Sequence, residues 1–172
     1  MAKKRKKSFL KKFYALTLSS SVYFAEIGSA KGVPYLVKIA QKSKDATNIS
    51  VGERIDNGTM IAVADRLHMF IPEGSGWFSP MSTFQREIWM VNSRWHGGQT
   101  SQIVALFKQK SKALKAINAK DLVRCDPRWE AETVAVLRAI GEDHPYCAIS
   151  TSMPQYQLMP PEKWQIPVPA AV

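Results

Sequence analysis

Several features are scarce in this chain of 172 residues, and each scarcity argues against a class of protein. Two cysteines are too few for a disulfide framework or a complete cysteine zinc site. No uncharged apolar run approaches the roughly 18 residues of a membrane-spanning helix. The Gly-Lys-Ser/Thr element of a Walker loop and the Gly-x-Ser-x-Gly turn of serine hydrolases are both missing. With 45% hydrophobic and 22% charged residues, the composition is that of a globular domain.

The first half of the chain has the pattern of an antiparallel sheet. Residues 13–18 and 22–27 alternate in the period of two that strands show, and residues 35–40 predict a returning strand after the turn signal at Gly28 to Gly32. Asn57-Gly58 is a tight-turn dipeptide that leads into predicted strands at residues 60–64 and 67–71. This half therefore predicts hairpins rather than helices.

The second half changes to a helical period. Residues 84–95 predict one helix, and Asp126-Pro127 begins another that ends at Gly141. Residues 100–118 fit either one long helix or a strand at 102–107 followed by a helix at 111–118, and the polar segment 108–112 favours the second. A last strand is predicted at residues 146–149. We expect an α+β fold, with a small antiparallel sheet from the N-terminal half packed against two or three helices of the C-terminal half.

Positive charge is concentrated at the start of the chain. Of the 24 lysines and arginines, seven precede Phe13, where no acidic residue occurs. They are Lys3, Lys4, Arg5, Lys6, Lys7, Lys11 and Lys12. The remaining 17 basic and 14 acidic residues leave a net charge of only +3. We predict a disordered basic arm at residues 1–12, one domain at residues 13–152 and a proline-rich tail at residues 153–172.

The arm suggests a partner and a compartment. Dense positive charge neutralises phosphates and releases counterions, which favours nucleic acid of any sequence. An alternative is a secretory signal, with residues 13–27 as its apolar part and Gly28-Ser29-Ala30 as its cleavage site. Ser19 to Ser21 and Glu26 interrupt that pattern, so we expect a cytoplasmic protein.

The segment from Arg86 to Ser101 mixes cationic, aromatic and glycine residues. Arginine and tryptophan together hold phosphates and stack on bases, and glycines let a backbone approach an anion. The candidate anion-binding residues here are Arg86, Arg94, His96, Gly97, Gly98 and Thr100. The alternative is structural, because Trp95 shares a predicted helix face with apolar residues and Gly97-Gly98 would end that helix.

Three weaker patterns complete the candidates. Cys125, Asp126, His144 and Cys147, with His96, offer zinc-ligand types, but only one close pair exists, so we expect no metal site. The same cysteines and histidines lack the signature of a cysteine enzyme. Trp77 and Phe78 lie in a Gly/Ser/Pro loop and are candidate contacts for a protein partner.

We therefore expect a small nucleic-acid-associated binding protein rather than an enzyme, with DNA or RNA as its partner and no cofactor. Two alternatives stay open. One is a protein-interaction or assembly module, including a homo-oligomer, that uses the aromatic loop and the proline-rich tail. The other is a small enzyme that acts on a phosphorylated substrate near Arg94 and His96.

Overall fold

The computed structural model describes residues 9–29, 32–42, 49–56, 60–70, 99–141, 144 and 146–149. Eight strands are described: β1 (Lys12–Thr17), β2 (Ser21–Glu26), β3 (Tyr35–Gln41), β4 (Arg54–Ile55), β5 (Met60–Val63), β6 (Arg66–Phe70), β7 (Gln99–Phe107) and β8 (Cys147–Ile149). The described helices are α1 (Lys110–Ala116), a 3-10 turn (Pro127–Trp129) and α2 (Glu130–Ile140), which continues that turn. No described helix is long and apolar enough to cross a membrane.

All eight strands join one curled sheet in the order β4-β3-β2-β1-β7-β6-β5-β8. The first seven strands pair antiparallel, and β8 adds to β5 in parallel. The central pairing joins the two halves of the chain, because Tyr14 of β1 lies opposite Phe107 of β7. The sheet is therefore built from both halves of the chain rather than from the first half alone.

The hairpins of β1, β2 and β3 follow from local sequence. Their side chains alternate between two faces, so that Phe13, Ala15 and Tyr23 are buried on the inner face while Tyr14 and Phe24 are half-buried on the outer one. These three strands confirm the prediction for residues 13–40. The predicted strands that correspond to β5, β6 and β8 are also confirmed.

A core fills the concave side of the sheet. It contains residues from strands at both ends of the sheet, together with one face of α2, and its α2 members are Val134, Val136, Leu137 and Ile140. The backbone N–H of Leu10 donates to the carbonyl of Ala139 at 2.9 Å, which ties the segment before β1 to this helix. One face of α2 therefore belongs to the core, while Ala131 and Arg138 on the other side are exposed.

A second cluster lies on the convex side under α1. Two small residues of the helix, Ala113 and Ala116, pack against Leu16, Val22 and Ala105 of the strands below. Alanines let the helix axis approach the sheet closely. The strand-then-helix interpretation of residues 100–118 is confirmed, since β7 ends at Phe107 and α1 begins at Lys110.

The predicted fold class is wrong. The structure is mainly a curled antiparallel sheet that includes β7 and β8 from the second half, and the described residues supply only two short α-helices. The sequence pattern predicts strands at residues 102–107 and 146–149, but it does not show that they join the sheet of the first half, where β7 pairs with β1 and β8 pairs with β5. The predicted helix at residues 84–95 and the tail at residues 153–172 lie outside the described residues.

Candidate nucleic-acid interface

A cluster of lysines surrounds α1. Between Lys108 and Lys120 the chain has five lysines and no acidic residue: Lys108, Lys110, Lys112, Lys115 and Lys120. All five are exposed. Within the described part of the chain, no carboxylate lies within 4.0 Å of any of their amino groups. We call these five residues the α1 lysines, and they form a cationic surface on the folded body.

This charge does not help α1 to fold. The first turn carries Lys110 and Lys112 and no acidic residue, although the N-terminus of a helix favours negative charge. Gln109 at the N-cap makes no side-chain hydrogen bond to the helix. Lys112 and Lys115, one turn apart, repel each other on the same face. Lys115 is the exception, because it lies in the last turn, where a helix favours positive charge.

A groove of about 570 Å³ lies between α1 and the start of α2. It is lined by Phe107, Lys112, Lys115, Ala116, Asn118, Ala119, Trp129 and Glu132. Sites for small molecules commonly have volumes of roughly 300–1,000 Å³. The two lysines on α1 and Glu132 on α2 place charges of opposite sign around an aromatic interior. We call this feature the α1 groove.

The tryptophan of the groove is held from several directions. The guanidinium of Arg128 lies 4.7 Å from the centroid of the Trp129 ring, and the ring of Phe107 meets Trp129 edge-to-face with centroids 6.1 Å apart. Thr133 fixes the backbone, since its hydroxyl donates to the carbonyl of Trp129 at 2.9 Å. The same hydroxyl accepts the N–H of Leu106 at 3.1 Å, which joins α2 to β7. Trp129 is therefore preorganised rather than loosely attached.

Arg128 is itself fixed by a buried carboxylate. Its Nε and Nη2 donate to Oδ1 and Oδ2 of Asp126 at 3.0 and 2.7 Å. These hydrogen bonds hold the pKa of Asp126 below its ordinary value, against the opposing effect of burial. Asp126 also caps the 3-10 turn by accepting the N–H of Arg128 at 3.0 Å. The carboxylate therefore stays charged and keeps the guanidinium beside the tryptophan.

The segment before that turn lies along the second half of β7. The N–H groups of Cys125 and Asp126 donate to the carbonyls of Ile103 and Val104 at 3.1 and 2.9 Å. β6 pairs only with the beginning of β7. The segment at Cys125 and Asp126 therefore hydrogen-bonds to the same edge of β7 beyond the point where β6 ends. Cys125 has a φ of 49°, in the left-handed region, where the chain turns into this position. The sheet thus determines where Asp126 and Trp129 lie.

The described residues include three of the predicted anion-binding positions. Lys11 and Lys12 are exposed where β1 begins. Thr100 is buried in β7, and its hydroxyl accepts the N–H of Leu67 at 3.1 Å and donates to the carbonyl of Ser101 at 2.8 Å. That hydroxyl is therefore used inside the sheet and is not presented to an anion.

The remaining predicted positions lie outside the described residues. They are Lys3, Lys4, Arg5, Lys6, Lys7, Trp77, Phe78, Arg86, Arg94, His96, Gly97 and Gly98. Binding by residues 1–8 and by the Arg/Trp segment therefore stays a prediction.

The described residues among the metal and nucleophile candidates are buried, and His144 makes a hydrogen bond within its own turn. Cys125 and Cys147 are both buried, and Nδ1 of His144 accepts the N–H of Tyr146 at 3.1 Å. Among the residues that the structure describes, no three histidine, cysteine or acidic side chains lie close enough to share a metal ion. These side chains are core and turn residues in the described structure.

Sequence reasoning missed the α1 lysines because it averaged the charge of the body. The span from Lys108 to Trp129 has seven basic and two acidic residues, a net of +5. The rest of the chain from residue 13 has ten basic and twelve acidic residues, a net of −2. A local count of charge would have found this second basic segment, and the first three lysines were interpreted only as a break between elements.

Comparisons with known proteins identify no relative of this chain. No protein-family model matches the chain, and neither a curated protein nor a solved structure is significantly similar to it. The α1 lysines and the α1 groove are therefore interpreted from their own chemistry.

Proposed function

We propose that the protein binds nucleic acid through the α1 lysines. The observation that carries this proposal is five exposed lysines, none of which has a carboxylate within 4.0 Å among the described residues, placed beside a groove that Trp129 lines. A row of phosphates neutralises such a surface, and the release of condensed counterions supplies the binding free energy. The half-buried ring of Trp129 beside it can stack on a base, a group that other polyanions do not have.

The basic residues at the start of the chain add to the same attraction. Residues 1–8 carry five positive charges and no negative charge. Lys11 and Lys12 continue this charge onto the exposed start of β1. Because β1 lies beside β7 and under α1, both basic segments attach to the same part of the sheet. A total net charge of +10 attracts a polyanion from a distance and raises the association rate.

The test is the salt dependence of binding to a fluorescein-labelled 20-nucleotide DNA or RNA, measured by fluorescence anisotropy. Each phosphate contact contributes about −0.7 to −0.9 to the slope of log K against log salt concentration. The double variant K112Q/K115Q should make the slope less steep by about 1.4–1.8. A control, K42Q/R138Q, lowers the net charge equally at exposed positions away from the groove and should leave the slope nearly unchanged.

A truncation tests the contribution of the basic start. It should remove residues 1–8 only, because the ring of Phe9 packs edge-on against His144 with centroids 5.1 Å apart. The truncated chain should keep its fold. Its slope of log K against log salt concentration should be less steep than that of the full chain, because phosphate contacts of residues 1–8 are lost. If the full-length protein binds neither DNA nor RNA in dilute buffer, the proposed function is wrong. Equal losses in the two double variants would show that net charge, and not the α1 lysines, determines the binding.

A further inference from the structure

We propose that the α1 groove takes one unpaired nucleobase against Trp129, which makes single-stranded nucleic acid the preferred ligand. This inference rests on the proposed function and names the kind of nucleic acid that the site selects. A base inside a duplex has both faces stacked on its neighbours and is not free to enter a groove. A base in a single strand presents its face to any aromatic side chain it meets.

The geometry of the groove favours stacking over surface attraction alone. Arg128 and Phe107 already contact Trp129, and Thr133 holds its backbone, so little conformational freedom is lost when a base binds. Trp129 is only partly buried, and it lines the groove together with Phe107. A preorganised aromatic side chain at the wall of a nucleotide-sized groove is suited to a planar ring.

The charges around the groove orient the bound nucleotide. Lys112 and Lys115 lie one turn apart on α1 and attract the phosphates. Glu132 lines the α2 side and repels phosphates, so the strand should run along α1. The carboxylate of Glu132 and the side-chain amide of Asn118 supply acceptors and a donor for the edge of the base. The base therefore enters between the helices while the backbone stays on the lysines.

The experiment compares labelled 12-nucleotide single strands of DNA and RNA with duplexes of the same sequence, at one salt concentration. The wild-type protein should bind a single strand more tightly than the matching duplex. W129L should lower the affinity for the single strand about tenfold, as expected for the loss of one stacking contact, and should leave duplex binding unchanged. The control Y35L removes another half-buried aromatic ring that carries a stacked arginine, Arg54 at 3.8 Å, and should bind like the wild type.

Two further variants keep the test decisive if W129L does not fold. W129F retains an aromatic ring and should keep most of the single-strand affinity. A119L extends a side chain into the groove from the turn after α1 and should weaken single-strand binding several-fold without touching Trp129. Circular dichroism checks the fold of each variant.

The outcomes separate this inference from the proposed function. Binding to neither single strand nor duplex would overturn both proposals. Tight binding with a preference for duplex, or equal losses on both ligands in W129L and A119L, would overturn the inference and leave the proposed function in place. Selective loss of single-strand binding in those two variants would support both.

Discussion

His68 should make the protein sensitive to mildly acidic pH. It lies in β6 between β5 and β7, and only 7% of its surface is exposed. Burial lowers its pKa from 6.5 to about 4, with a smaller opposing effect from Asp65 and a small further lowering from Arg66. The folded protein therefore keeps this imidazole neutral over a pH range in which the unfolded chain protonates it.

The sign and size of the effect follow from proton linkage. Between pH 6.5 and 4 the unfolded state binds more protons at this histidine, so stability falls as the pH falls through that window. Below pH 4 the free energy of unfolding is lower by about 3 kcal/mol than at neutral pH because of this histidine, and at pH 5 it is already lower by about 2 kcal/mol. Above pH 6.5 the contribution is constant. These losses are a large fraction of the roughly 5–15 kcal/mol that stabilises a typical domain.

Urea unfolding between pH 7.5 and 5 measures this loss directly. H68Q has a side chain that does not titrate, so its free energy of unfolding should fall by about 2 kcal/mol less than that of the wild type over this range. H144Q, the same substitution at another buried histidine, should retain the part of the pH dependence that belongs to His68. The explanation fails if the wild type and H68Q lose the same stability, or if NMR titration gives His68 a pKa near 6.5.

Two pairs of substitutions, each a test with its control, examine a close contact and a hydrogen bond of the sheet by urea unfolding. Gly28→Ala would place a Cβ 2.8 Å from the ring and nitrogen of Pro34, so it should cost about 1–3 kcal/mol. Gly32→Ala meets nothing closer than 4.0 Å and should change stability by less than about 0.5 kcal/mol, and a cost as large as that of Gly28→Ala would refute this explanation. Thr133→Val leaves the buried N–H of Leu106 without its 3.1 Å acceptor and should cost about 1–3 kcal/mol, whereas Thr133→Ser should retain most of the stability. Equal stability of the valine and serine variants would show that this hydrogen bond contributes nothing.

Local pairing was predictable from the sequence, and distant pairing was not. The alternation in residues 13–40 identified three neighbouring strands, because each face of those strands has a different environment. The contact of Tyr14 with Phe107 joins strands far apart in the chain, and no local pattern records it. β7 is buried at its end on both faces, by the core on one side and by α1 on the other, which removed the period of two. A strand was still predicted at residues 102–107, but its place in the centre of the sheet, on which the class of the fold depends, was not.

For a similar reason, only part of the candidate site could be predicted from the sequence. Trp129 was assigned to the apolar face of a helix, and it does pack on the cluster under α1. What the pattern could not show is that β7 places Phe107 beside it and that α1 brings two lysines to the same groove. The predicted basic arm and the α1 lysines are separated in sequence by nearly the whole sheet. The pairing of β1 with β7 brings Lys11 and Lys12, the described part of that arm, beside the strand that leads into α1.

The lysines and the tryptophan should act on different parts of the binding free energy. Counterion release determines how steeply affinity falls with salt, whereas stacking on an aromatic ring contributes a part that salt hardly changes. K112Q/K115Q should therefore change the slope of log K against log salt concentration. W129L should lower log K by the same amount at every salt concentration and leave the slope unchanged. If both variants changed only the slope, Trp129 would do no more than position the cationic surface. A parallel shift in W129L with a shallower slope in K112Q/K115Q requires that base and phosphate are bound by separate groups of one site.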